Sequence, residues 1–168
     1  MRKIIFLDVD GVLNNDETEE KTPSGFVGVS EDLIERLGRI VREQKAEVVL
    51  SSSWRLPDEN PTESDKADYL YLEEKLASVG VAISGSTPNI RASRRGQEIR
   101  EYLDSLEEDV GWVVLDDIFF PDFESFGITE RLVITDGEEG LTDDDAAAAA
   151  EILNGGIRNE EGRHAQDF

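Results

Sequence analysis

Ile4-Ile5-Phe6-Leu7-Asp8-Val9-Asp10-Gly11-Val12-Leu13-Asn14 is the stretch whose reading decides the fold of this chain. Apolar residues lead into two aspartates one residue apart, and a glycine follows at once. Such a run reads as a strand buried on both faces and closed by a turn at Gly11. Side chains on a strand alternate, so positions i and i+2 point the same way. A strand reaching Asp10 therefore sets both carboxylates on one side of its C-terminal end. Two unscreened anions that close push at least one toward protonation, unless a cation or a chemical role holds them there.

Outward from this stretch the pattern repeats. Residues 47–51, 112–115 and 131–135 are further short apolar runs, with 81–84 a fifth. None alternates, as expected of parallel strands covered on both faces. Between them lie helical patterns. Ser30 is placed to cap a helix with Leu33, Ile34, Leu37, Ile40 and Val41 on one face. Residues 66–79 carry Leu70, Leu72, Leu76 and Val79 and stop at Gly80. Residues 94–106 space Ile99, Tyr102, Leu103 and Leu106 helically, and Thr142 to Asp145 form a capping box before an alanine-rich helix over 143–153. The alternation predicts an α/β fold: a doubly wound, Rossmann-like parallel sheet with helices on both faces. Residues 14–29 read as a polar flap and 56–65 as a solvated loop, and no stretch is long enough for a large cap domain. The expected division is one domain over 1–154 and a flexible polar tail over 155–168.

Composition narrows the chemistry. The absence of cysteine excludes disulfides, thiolate catalysis and cysteine-bound zinc, and the lone histidine, His164, stands in the tail. Catalysis must then come from carboxylates, hydroxyls, arginines, backbone and a hard cation. The net charge of −22, from 39 acids against 17 bases, opposes non-specific binding to nucleic acid or anionic lipid at low salt. Adaptation to a high-salt cytoplasm is one reading of this charge, and an acidic protein of an ordinary cell is the other. The N-terminal apolar run is too short to span a membrane, so a cytoplasmic location is expected. Oligomeric state is not legible.

Ligand sites of such sheets lie beyond the carboxyl ends of the strands. Asp8 and Asp10, the serines Ser51, Ser52 and Ser53, and Asp116 with Asp117 all collect at that rim. A calcium loop does not fit the aspartate pair, because Gly11 comes too early and a strand precedes it. Trp54 reads as a packing anchor before a substrate stacker. Arg55 is equally a phosphate contact or the partner of an acid.

Taken in order, Asp8-Val-Asp10-Gly-Val, Ser51-Ser-Ser-Trp54-Arg55, Thr87-Pro88, Arg95-Gly96-x-Glu98-Ile99, Leu115-Asp-Asp117 and Gly140-Leu-Thr142 resemble the haloacid dehalogenase (HAD) superfamily of phosphatases. They are most similar to its small capless domains, some of which occur in multi-domain RNA-repair proteins. The resemblance spans roughly residues 3–153. It implies a phosphomonoesterase in which Asp8 is the nucleophile and Asp10 the general acid and base. It implies Mg²⁺ held by Asp8, the backbone carbonyl of Asp10, and Asp117, with Asp116 a further candidate. It also implies a hydroxyl on the phosphoryl group, for which related sequences favour Ser52 over Ser51. The superfamily commonly uses lysine as its basic residue. Here the candidates are Arg91, Arg94, Arg95 and Arg100, and the local motif favours Arg95. Asp122 is implied as a residue orienting metal-bound water. The substrate is a phosphorylated small metabolite, a nucleotide or a nucleic-acid end. A catalytically idle phosphate- or protein-binding module, or a phosphotransferase, are the alternatives.

Overall fold

The computed structural model describes residues 1–90 and 93–156. Arg91, His164 and nearly all of the expected tail lie outside the described residues. Five parallel strands form one sheet in the order β3-β2-β1-β4-β5. They are β1 (Lys3–Leu7), β2 (Glu47–Leu50), β3 (Ile83–Ser86), β4 (Gly111–Asp116) and β5 (Leu132–Ile134). Four helices connect them: α1 (Glu31–Gln44), α2 (Glu63–Ala77), α3 (Arg95–Asp104) and α4 (Asp143–Leu153). The doubly wound α/β expectation holds.

Alternation along β1 divides the core in two. Ile5 and Leu7 pack with Leu37 of α1, Leu72 and Leu76 of α2, and Ile152 of α4. Ile4 and Phe6 pack on the opposite face with Ile99 of α3 and with Phe123 and Ile128 from the loop after β4. Both faces are covered, which is why the strands carry unbroken apolar runs.

Boundaries moved where local chemistry outweighed periodicity. α2 begins at Glu63, earlier than the apolar pattern indicates, because Thr62 and Asp65 form a reciprocal capping box. Leu70 is 53% exposed, contrary to its place in the expected apolar face. Leu72 and Leu76, one helical turn apart, are the pair that faces inward. The fifth strand pairs through Ile83, Gly85 and Ser86 rather than Val81, which is buried just ahead of it. Residues 14–29, between β1 and α1, hold one isolated antiparallel bridge, Lys21 to Val27, in place of a cap domain.

Candidate active site

β1 and β4 sit where the strand order reverses, the point at which open α/β sheets form their crevice. Leu7 pairs with Leu50 on one side and Leu115 on the other. One residue further on, the Ser51 N–H donates to the Leu7 carbonyl at 2.8 Å and the Asp8 N–H to the Leu115 carbonyl at 3.0 Å. Ser51, Asp8 and Asp116 thus stand side by side on three neighbouring chains. Two residues before them, Val49, Phe6 and Val114 belong to the core on the α3 side. Alternation gives that same side to the three polar residues.

Arg95, the first residue of α3, answers this row. Its Nη1 donates to the Ser51 carbonyl at 2.7 Å and to Asp116 Oδ2 at 3.4 Å, and lies 3.8 Å from Asp8 Oδ1. Its guanidinium stacks 4.7 Å above the Phe120 ring. α3 is aimed by Asp122, whose two carboxylate oxygens accept the Gly96 and Gln97 N–H groups, both at 2.9 Å. A Cβ on Gly96 would come within 2.8 Å of Asp122 Oδ1, so only glycine permits this anchor. Both Asp122 oxygens are engaged by the helix N-terminus, a favourable place for a carboxylate.

Asp8, Asp116 and Asp117 each offer an oxygen within 4.8 Å of the others. Burial first, then the negative charge of Asp116, pushes the Asp8 carboxyl well above the usual aspartate range. Burial also raises Asp116, against the Ile118 N–H and the Arg95 charge, which favour its ionised form. Without a cation the pair keeps a proton that two separate aspartates would lose. An all-oxygen, anionic donor set of this kind suits a hard divalent cation such as Mg²⁺. Gly11 makes the cluster possible. Its φ is +79°, and a Cβ there would lie 2.2 Å from Asp117 Oδ2.

Asp10 departs from the expectation. β1 ends at Leu7, so Asp10 lies in the turn closed on the Val9 carbonyl rather than on one strand face with Asp8. Asp8 is buried, Asp10 is exposed, and the Asp10 carboxylate is not part of the three-carboxylate cluster. Asn14 positions it: the Asn14 Nδ2 donates to Asp10 Oδ1 at 3.0 Å and to the Gly28 carbonyl at 2.9 Å. The Asn14 Oδ1 meanwhile accepts the Gly11 N–H at 2.9 Å.

The serines differ from one another. Ser52 Oγ accepts the Trp54 N–H at 3.2 Å, its own hydroxyl proton has no acceptor among the described residues, and Ser52 lines a cavity with Arg95 and Phe120. Ser51 Oγ is buried with no hydrogen-bond partner among the described residues. Arg55 pairs with an acid: its Nη1 donates to Glu98 Oε1 at 2.9 Å, Thr87 Oγ1 at 2.8 Å and the Pro88 carbonyl at 3.2 Å. Glu98, 1% exposed, also lies 3.5 Å from Arg95 Nε and accepts the Ile90 N–H at 2.8 Å. Arg94 is the residue before α3, and Arg100 donates to the Phe126 carbonyl at 2.9 Å, away from the row.

Sequence reasoning missed Glu98, Asn14 and Thr135 as positioning residues. Thr135 Oγ1 donates to the Gly11 carbonyl at 2.7 Å and pins the turn to the end of β5. For Glu98 and Asn14 a signal existed, since each lies inside a motif already singled out. Thr135 had none.

Comparison with known proteins agrees with this fold. No curated protein sequence matches the chain. Solved structures that share its fold include D,D-heptose 1.7-bisphosphate phosphatase from B. bronchiseptica, complexed with magnesium and phosphate. The similarity covers 92% of this chain and 99% of that one, with a TM-score of 0.61 at 17% identity. A family described as the HAD domain in Swiss Army Knife RNA repair proteins matches residues 4–146. The chain belongs to that family and is a phosphoric monoester hydrolase of the HAD superfamily.

Proposed function

We propose that the protein is a Mg²⁺-dependent phosphomonoesterase that works through an aspartyl-phosphate on Asp8. The observation that carries this reading is the meeting of Asp8, Asp116 and Asp117 with Arg95 at the carboxyl edge of the sheet. Asp8, Asp117 and Asp116 are the carboxylates that would hold the cation, with the Asp10 backbone carbonyl beside them. When bound, Mg²⁺ would offset the repulsion between these carboxylates and a phosphate dianion and stabilise charge on the transferring group.

An Asp8 carboxylate oxygen attacks phosphorus, and the bond from phosphorus to the leaving oxygen breaks. Asp10 gives that oxygen a proton and the alcohol departs. Asp10, now ionised, takes a proton from water as the water attacks the phosphoryl group, releasing inorganic phosphate and restoring Asp8. Ser52 donates to a phosphoryl oxygen through its free hydroxyl proton. Arg95 holds another oxygen while its remaining contacts keep it in place. The substrate class stays open between a phosphorylated metabolite, a nucleotide and a nucleic-acid end. A cytoplasm of high salt is the setting that suits the charge of −22.

Incubation with p-nitrophenyl phosphate and Mg²⁺ tests the reading. Wild type releases phosphate and Asp8→Asn does not. Absence of turnover by wild type from low to molar KCl would move the protein to the binding-module class.

A further inference from the structure

Beside Asp10, between residues 14–29 and α2, lies a cavity of about 640 Å³. Its volume falls in the range of small-molecule sites. Its lining combines an apolar set and an anionic set. Phe26, Val27 and Trp54 supply the first; Asp16, Asp65 and Asp68 join Asp10 in the second. Phe26 is 70% exposed and Val27 39%, which leaves two adjacent apolar side chains open to an occupant of the cavity. Trp54 packs one side against the core and sits 6.5 Å from the Tyr71 ring, yet still faces the cavity.

The walls are fixed in place. The Ser24 N–H and hydroxyl both donate to Asp68. The Tyr71 hydroxyl accepts the Val29 N–H at 3.1 Å and donates to Glu20 at 2.6 Å, which ties the flap to α2. Asp65 is held by the capping box of α2. Hydrogen bonds thus hold the Asp10, Asp65 and Asp68 carboxylates at the cavity wall. Arg55 is the cation in the cavity wall, and Glu98 already holds it.

We propose that this cavity receives the leaving group of the substrate, and that this group carries an aromatic ring and no phosphate beyond the one transferred. The inference rests on the reading of Asp10 as proton donor, since the group it protonates must start at Asp10 and extend into the space Asp10 lines. Phe26 and Trp54 are the specificity-determining residues, offering two aromatic surfaces to a planar ring. The four carboxylates disfavour a second phosphate, and so disfavour a polynucleotide end relative to a small aromatic monophosphate.

Two pairs of probes test this at one salt concentration. The first pair is 2-phenylethylphosphonate and propylphosphonate, whose binding in Mg²⁺ is measured by calorimetry without any turnover. The second pair is 2-phenylethyl phosphate and propyl phosphate, both esters of primary alcohols, compared by kcat/KM. The ring is expected to favour binding and turnover by about tenfold, the ratio that 1.4 kcal/mol produces. Phe26→Ala, at an exposed position that tolerates truncation, lowers that ratio. Asp68→Asn raises turnover of 1,4-butanediol bisphosphate relative to propyl phosphate. Equal phosphonate affinities, or an oligonucleotide 5′-phosphate preferred over 2-phenylethyl phosphate, would overturn the proposal. Failure of the catalytic reading looks different: ring-selective phosphonate binding with no phosphate released from any ester.

Discussion

At the scale of single residues, Asp8 and Gly11 carry the most chemistry per atom. Asp8→Asn keeps the shape and removes the proposed nucleophile, so hydrolysis of p-nitrophenyl phosphate should fall by more than about a thousandfold, measured at saturating Mg²⁺. Ser52→Ala should lower kcat/KM by about tenfold, as loss of a charge-assisted hydrogen bond does, with a much smaller effect from Ser51→Ala. The reverse order would reassign the phosphoryl contact to Ser51. Titration gives a further expectation. A folded-state pKa raised above the unfolded value makes the native protein bind more protons, so stability contributed by Asp8 and Asp116 is present at low pH. It is lost as pH rises above 3.8, the usual aspartate value, toward the raised value of Asp8. On the proposed reading, Mg²⁺ would take the place of the retained proton. The rise in Tm caused by Mg²⁺ should therefore be larger at pH 8 than at pH 5.5, and Asp116→Asn should flatten that difference. A pH-independent shift in thermal melts would contradict the cluster as the cation site.

At the scale of elements, the site depends on how α3 is fastened. Asp122 holds its first N–H groups, and Glu98 fixes Arg55 and Arg95 from its inner face. Removing one partner from a buried charge cluster costs about 3–5 kcal/mol, because the remaining charges are left uncompensated. Glu98→Ala should lower the urea midpoint accordingly and depress activity by loosening Arg95. The milder Glu98→Gln keeps the shape and separates positioning from folding. A wild-type stability and kcat in Glu98→Gln would show that Arg95 needs no such support. The α2 cap belongs to the same scale but lies far from the chemistry. Thr62→Ala should cost about 1 kcal/mol in urea denaturation with little change in kcat.

For the molecule as a whole, net charge is the feature that ties stability to salt. The net −22 is spread over a small chain, and its self-repulsion weakens as the Debye length falls from about 10 Å at 0.1 M salt to about 3 Å at 1 M. Tm should rise by about 5 °C or more between 0.05 M and 2 M KCl, a change of roughly 1–2 kcal/mol for a chain of this size. A melting curve indifferent to salt would remove the argument for a high-salt setting. Nowhere among the described residues is a helix long and apolar enough to cross a membrane.

The sequence by itself determined the parallel α/β class, because only strands buried on both faces call for apolar runs without alternation, and the runs are punctuated by amphipathic helices. It also named the rim residues: Asp8, Asp116, Asp117 and Arg95 were legible because motif order along the chain survives folding. The relation between Asp8 and Asp10 was not legible, since it depended on where β1 stops, and that is set by hydrogen bonds to two other strands. Nor were the tasks of Asp122 and Glu98, which are indistinguishable from surface acids until α3 is docked. Local pattern reports which face of an element is apolar. Which charges end up sharing one buried space is a matter of register and helix placement, and those are fixed only when distant segments pack.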